Sequence, residues 1–305
     1  MTKEINVFIP AAGLGERLRP ITNHIPKPLI PILGKPVIQL VIERLVSLPV
    51  HNIAINLHYK KDVVENWIRQ YLKNLPSSLF YKEVNQMTKP MNTGGASDER
   101  IILFPEEKIL GTGGALKNAE AFLSERTFLV HNSDILSQID LAKLAEHHVS
   151  SGNLVTLAVH DNPKFNNVII DEKGFLKLIV NVPALEKAGE GEVSEYRVAF
   201  TGIAMYEPEF LQFLPSGDSS VVDAWLRAVE AGHRVGTYNA GGCYWSDIGT
   251  PDAYAAAVFD TLRKAGETVY IHPSTKGCEH IELKGLAVIE EGVDAGSADA
   301  AYLLR

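Results

Sequence analysis

The sequence predicts an α/β fold in which a mixed, mainly parallel sheet is flanked by helices and followed by a short β-helix-like tail. Strand-like apolar runs alternate with helical patterns as far as Asp134, glycine-rich or acidic turns follow the strands, and the texture changes near Val269. Alternation of this kind builds βαβ units and a parallel sheet.

The run INVFIPA, residues 5–11, is apolar apart from Asn6, in keeping with a strand covered on both faces. A helix is expected near 36–48, a second strand in HNIAINL at 51–57, and a helix over 61–73. In that last helix Val63, Val64, Trp67, Ile68 and Tyr71 form an apolar stripe at helical spacing, which assigns Trp67 to the core. RTFLVHNSD, 126–134, reads as a strand that ends in an acidic turn. Ligands of open α/β sheets sit at the carboxyl ends of the strands. The glycine loop after Val7–Pro10 and the acidic turn after Phe128–His131 are therefore expected on one edge of one sheet. Two polar stretches, MTKPMNTGGASDER (87–100) and EKAGEGEVSE (186–195), fit either a cover over a substrate or a surface excursion. Together these elements outline a Rossmann-like domain over 1–265.

From 266 to 305 no helical stripe emerges. Small or apolar residues recur every sixth position at Ile271, Gly277, Leu283, Ile289, Ala295 and Ala301. A second row, Ile281, Ala287 and Val293, breaks at Asp299. Such a hexapeptide period fits the first coils of a parallel β-helix, or else a β-rich tail packed on the main domain.

Bulk composition narrows the function. A chain of 305 residues, 46% apolar, can bury a large core. Its 29 Lys and Arg against 37 Asp and Glu leave a net charge of −8, which opposes binding to nucleic acid or an anionic membrane. Cys243 and Cys278 have neither the spacing of a zinc site nor that of a disulfide framework, so a reducing compartment is expected. The first residues, MTKEINVFIP, carry charge where a signal peptide has an apolar core, and no window approaches a membrane span. The expected localisation is cytoplasmic.

Four motifs carry chemistry. The first is AAGLGERLRPITNHIPKP, 11–28. It contains no GxxxxGK[ST], and Leu18 stands where a dinucleotide fingerprint needs its third glycine or alanine, while Pro20 cuts the helix short. What remains is a loop whose N–H groups, from Ala12 to about Glu16, can form an anion-binding concavity, with Gly13 and Gly15 permitting close approach. Arg17 offers a planar fork for polyphosphate, and Lys27 a point charge between Pro26 and Pro28. The second motif, EEKILGTGGALKNAE (106–120), places Gly111, Gly113 and Gly114 before a helix expected to begin near Ala115, a position that suits an anion or a base edge. In the third, VHNSDIL, Asp134 follows a strand, where Mg2+ ligation would need it. In the fourth, GCYWSDIGTPDAY, Asp247 sits between an aromatic strand and a Gly-Thr-Pro turn. Two carboxylates beside a polyphosphate suggest a bridging metal.

These blocks, with FTGIAMYEPEFL at 200–211, resemble in residues and order the sugar-1-phosphate nucleotidyltransferase family over about 5–258. Within it the chain is most similar to the mannose-1-phosphate guanylyltransferase and N-acetylmuramate-1-phosphate uridylyltransferase branch. The resemblance implies that Ala11, Ala12, Gly13, Leu14 and Gly15 hold the nucleotide, that Arg17 clasps the departing pyrophosphate and that Lys27 neutralises the α-phosphate. It further implies that Gly111 and Gly114 line the base and ribose, that Asp134 and Asp247 ligate Mg2+, and that Gly202 meets the sugar. On this view Arg17 and Lys27 reach one triphosphate from an extended, proline-stiffened strap. Where relatives carry Glu-Lys-Pro at the sugar site, this chain reads Asn181, Val182 and Pro183, leaving Asn181 as a sugar-site candidate and Lys164 or Arg197 as substitutes for the missing lysine. A carboxylate from Glu106 or Glu107 could accept from guanine N1–H and N2–H, or from uracil N3–H, or face solvent.

The expected reaction is NTP plus sugar 1-phosphate giving NDP-sugar plus pyrophosphate, with GTP and mannose 1-phosphate as the leading pair. A uridylyltransferase acting on an N-acetylmuramate or hexose 1-phosphate is the alternative. A non-catalytic NDP-sugar-binding subunit would be marked by loss of Arg17, Lys27, Asp134 or Asp247, and all four are present. A β-helix acyltransferase would need a longer tail. The expected partners are these small substrates, with a homo-oligomer contact through the tail.

Overall fold

A computed structural model describes residues 3–74, 101–180, 196–276 and 287–290. The chain divides into two compact units, one made of residues up to Ala12, Arg44–Asn132 and Asp140–Gly242, the other of Gly13–Glu43, Ser133–Ile139 and the residues from Cys243 on. Asn181, the loops at 87–100 and 186–195, and the repeat positions 277, 281, 283, 293, 295 and 301 lie outside the described residues.

The first unit is built on a nine-stranded sheet. At its centre Ile5–Pro10 pairs in parallel with Val50–Leu57 on one side and Phe128–His131 on the other, and Val50–Leu57 pairs in parallel with Ile101–Pro105. The central strand Ile5–Pro10 is mostly apolar because both its faces are covered; Val7, Phe8 and Ile9 are fully buried. The mixed character comes from the long strand Tyr196–Tyr206, which runs antiparallel to Phe128–His131, Val155–His160 and Val168–Ile170. Val155–His160 also takes Val235–Asn239 in parallel, and Leu176–Ile179 closes one edge against Val168–Ile170. Helices Lys61–Asn74, Gly111–Asn118, Leu141–Ser151 and Val221–Glu230 pack on this sheet.

Phe8, Phe128, Tyr206, Phe210 and Trp225 anchor the core of this unit. Phe128 and Tyr206 stack at 5.1 Å, and Trp225 Nε1 donates to the Tyr206 hydroxyl at 3.2 Å, so both polar tips of the buried aromatics are engaged. In Lys61–Asn74 the buried face is Val64 and Ile68, with Trp67 stacked on Tyr71 at 5.0 Å. Val63 is half exposed, because it precedes the i, i+3, i+4, i+7 row that Val64 begins.

The second unit is assembled from short pieces around Leu18, Ile30, Ile32, Val37, Leu136, Ile248, Tyr254 and Val258. The segment expected as an extended strap is instead three single helical turns, a 3-10 turn at Glu16–Leu18, an α turn at Ile21–His24 and a second 3-10 turn at Lys27–Leu29. Proline explains both the turns and their brevity: its fixed φ suits a first turn, and its missing N–H prevents a longer helix. Next come a two-stranded hairpin, Pro31–Ile32 with Lys35–Pro36, and the helix Val37–Arg44. Leu33 and Gly34 turn that hairpin with φ of 50° and 78°, the left-handed pair a two-residue turn needs.

Further along, Trp245–Asp247 pairs antiparallel with Ile135–Ser137, and Thr250 caps the helix Pro251–Lys264 by accepting from the Ala253 N–H at 3.3 Å. Beyond that helix Val269–Ile271 pairs in parallel with Ala287–Ile289. Both oxygens of Glu290 accept from the hairpin turn, Leu33 N–H and Gly34 N–H, at 2.8 Å each. Among the described residues no helix is long and apolar enough to cross a membrane.

Candidate active site

The second unit gathers four of the sequence-predicted residues. In the ribbon of Ile135–Ser137 and Trp245–Asp247, Asp247 lies opposite Ile135, and Ile248 N–H donates to the Asp134 carbonyl at 3.1 Å. This pairing places the two aspartates, far apart in sequence, at the same end of one ribbon. Lys27 Nζ forms an ion pair with Asp134 Oδ2, with both side chains more than four-fifths buried. The turn that carries Lys27 is held by its neighbours: Leu29 N–H donates to the Pro26 carbonyl at 2.8 Å and Ile30 N–H to the Lys27 carbonyl at 3.3 Å.

Burial pushes the Asp247 carboxyl above its ordinary value, and the Asp134 charge adds to this, while Lys27 and Arg17 pull the other way. Asp247 Oδ1 is buried and accepts no hydrogen bond from the described residues. Lys27 and Arg17 offset the charges of Asp134 and Asp247 without filling the open acceptor at Asp247 Oδ1, and a divalent cation would answer it. Mg2+ is characteristically held by one or two carboxylates together with substrate phosphates, so Asp134 and Asp247 are a sufficient protein contribution.

One residue at this cluster escaped the sequence reading. A Cβ on Gly249 would lie 2.7 Å from Arg17 Nη2 and 2.8 Å from Asp247 Oδ1. Gly249 is thus the floor on which the guanidinium and the carboxylate rest. The IGTP turn offered the only signal, and a glycine before a helix cap has an ordinary explanation. Upstream, Gly15 has φ 66°, and a Cβ there would meet Thr22 Cγ2 at 2.7 Å; Thr22 Oγ1 donates to the Gly15 carbonyl at 2.8 Å. The loop is therefore pinned through its carbonyl, leaving its N–H side uncommitted: Gly13, Leu14 and Arg17 N–H donate to no described residue.

The first unit holds the remaining candidates. Ala11 and Asn132 follow the adjacent parallel strands Ile5–Pro10 and Phe128–His131, so both lie at one carboxyl edge. Asn132 N–H donates to the Gly202 carbonyl at 2.9 Å, and Gly202 adopts φ 79° within an irregular stretch of Tyr196–Tyr206. Glu106 is 4% exposed and Glu107 is exposed. Lys164 and Arg197 are both exposed.

The helix of the second motif begins at Gly111, earlier than expected. Its three glycines are explained by the segment 217–220 lying against them. A Cβ on Gly114 would collide with the Gly217 carbonyl, and one on Gly113 would lie 2.9 Å from the Ser220 carbonyl carbon. Gly113 N–H donates to the Ser219 carbonyl at 2.8 Å, Ser219 N–H to the Leu110 carbonyl at 3.0 Å, and Val221 N–H to Thr112 Oγ1 at 3.0 Å. Because backbone rather than a flexible side chain opposes the added methyl, Gly114→Ala should destabilise the protein by about 1–3 kcal/mol. Chemical denaturation would check this; an unchanged midpoint would mean that segment 217–220 yields.

The family model described as "Nucleotidyl transferase" matches residues 7–264. A UTP–glucose-1-phosphate uridylyltransferase of Synechocystis is 28% identical over 88% of this chain and 66% of its own length. A mannose-1-phosphate guanylyltransferase of Mycobacterium tuberculosis is 27% identical over 86% of this chain and 66% of its own. The chain thus spans just under two thirds of the length of these two curated relatives. Among solved structures, a UDP-glucose pyrophosphorylase from Acinetobacter baumanii shares the fold, with a TM-score of 0.65, 19% identity, and coverage of 86% of this chain and 94% of that one.

Proposed function

The chain belongs to the nucleotidyl transferase family, and on that premise we propose that it joins an NTP to a sugar 1-phosphate, releasing pyrophosphate and an NDP-sugar. The observation that carries this reading is the cluster of Arg17, Lys27, Asp134 and Asp247, in which two cations and two carboxylates, one with an orphaned oxygen, are arranged for a polyanion. A phosphate oxygen of the sugar substrate is already anionic when it attacks the α-phosphorus, so no general base is required. Catalysis then rests on positioning and charge neutralisation. Lys27 neutralises the α-phosphate and Arg17 clasps the departing pyrophosphate. Mg2+ held by Asp134 and Asp247 would add Lewis-acid stabilisation of phosphate charge. Ala11 to Gly15, Glu106, Gly111 and Gly114 form the nucleotide set, and Gly202 and Asn181 the sugar set.

The leading substrates are GTP and mannose 1-phosphate, supported by the motif resemblance and by the guanylyltransferase relative. The uridylyltransferase relative supports UTP with a hexose 1-phosphate as the second reading. We read 266–305 as a short β-helix-like C-terminal tail, in keeping with the parallel pairing of Val269 with Ala287, eighteen positions or three hexapeptides apart. A homo-oligomer contact and a cytoplasmic location complete the proposal.

Pyrophosphate release with Mg2+, measured for five NTPs crossed with mannose, glucose, N-acetylglucosamine and N-acetylmuramate 1-phosphates, tests it against Asp134→Asn as blank. Release from one pair that vanishes in the variant is the expected result. No release from any pair, with NDP-sugar binding intact, would replace the enzyme by a binding subunit.

A further inference from the structure

A continuous hydrogen-bond relay crosses the carboxyl ends of three neighbouring parallel strands in the first unit. Ala11, just past Ile5–Pro10, donates its N–H to Asn56 Oδ1 at 2.7 Å. Asn56, on Val50–Leu57 in register with Pro10, donates Nδ2 to Glu106 Oε1 at 2.7 Å. Glu106, just past Ile101–Pro105, accepts at Oε2 from the Leu110 N–H at 3.2 Å. The backbone of Glu106 is held as well, its N–H donating to the Leu57 carbonyl at 2.7 Å and its carbonyl 2.9 Å from His58 Nδ1. Asn56 and Glu106 are 3% and 4% exposed.

The structure assigns Asn56 and Glu106 as positioning residues that lock the start of the glycine loop at Ala11 to the glycine turn at Leu110–Gly111. This rests on the reading that both elements hold the nucleotide, and it gives Glu106 a role different from reading a base edge. A buried carboxylate that accepts from a side-chain amide and a backbone N–H fixes where two backbone segments stand. Its specificity is geometric and blind to the base. Asn56 is the only member whose two ends differ, accepting toward Ala11 and donating toward Glu106, so it sets the polarity of the whole relay.

That polarity supplies the test. Glu106→Gln sets an amide N–H2 against either Asn56 Nδ2 or the Leu110 N–H. Asn56→Asp sets two buried carboxylates face to face. In the double variant, Asn56→Asp with Glu106→Gln, every donor again has an acceptor. The carboxylate introduced at position 56 accepts from the Ala11 N–H and from the introduced amide, whose oxygen accepts from the Leu110 N–H. Equilibrium binding of each NTP and amide hydrogen exchange at Ala11 and Leu110 would be measured for all four proteins. Each single variant should weaken binding of every NTP by the same factor, about tenfold or more. Both amides should lose protection in the singles, and the double should restore affinity and protection. A change of preferred base in Glu106→Gln alone, or a double variant no better than the worse single, would overturn the assignment. If the unaltered protein binds no NTP, the proposed function falls while the exchange data still decide the relay.

Discussion

Lys27→Ala should lower kcat about 100- to 1000-fold, on the order of 2.7 to 4 kcal/mol, the scale measured when one preorganised electrostatic stabiliser is removed. Lys27 is the positive member of a buried ion pair with Asp134, and its loss removes the partner of Asp134 in that pair and one of the two cations acting on Asp247, leaving Arg17 as the other. The effect should fall on kcat more than on the KM for nucleotide, because charge at the α-phosphorus grows toward the transition state. Steady-state kinetics separates the two. A variant that changes only KM would make Lys27 a binding group. Combining Lys27→Ala with Asp134→Asn should cost less than the sum of the two, since the pair acts as a unit.

Asp247→Asn should be as damaging to activity yet favourable to the fold. The folded state holds the Asp247 carboxyl above its ordinary value of 3.8, through burial first and the neighbouring Asp134 second. A folded protein with such a group binds more protons than the unfolded chain, so its stability falls as pH rises through the interval above the ordinary carboxylate range. At neutral pH the charged form is therefore a net cost of folding, and the amide removes it. In metal-free buffer at pH 7 the variant should unfold at the same or a higher temperature than the parent. Adding Mg2+ with nucleotide should raise the melting temperature of the parent and leave the variant nearly unmoved. A variant that melts lower without metal would show that Asp247 supports the fold rather than strains it.

The central strands are legible in the sequence because they are apolar apart from a few polar residues, and Arg17 and Lys27 because their proline and glycine context is unusual. Asp134 and Asp247 can be named from motifs, but the Ile135–Asp247 register that unites them has no local signature. The turns at Arg17 and Lys27 read as extended chain in the sequence and are helical in the structure. Proline forbids a long helix, but it does not distinguish coil from one helical turn, and buried Leu18 and Ile30 settle the matter through packing. The glycines at 113 and 114 are visible, while the reason for them, the backbone of 217–220, lies about a hundred positions away. Asn56 gives no signal at all: one polar residue near the end of an apolar strand looks the same whether it faces water or joins a relay.

The second unit's construction from three separated stretches of chain also bears on how it is made. On a ribosome Asp247 and the helix after it emerge about 220 residues after the Lys27 turn, on the order of ten to forty seconds later at bacterial and eukaryotic elongation rates. Until then Leu18, Ile30, Ile32 and Val37 lack Tyr254, Val258 and Leu262, the side chains that later cover them. Newly made chain is thus most in need of a chaperone while Leu18 to Val37 stand uncovered, and synthesis of the helix that carries Tyr254, Val258 and Leu262 relieves that need.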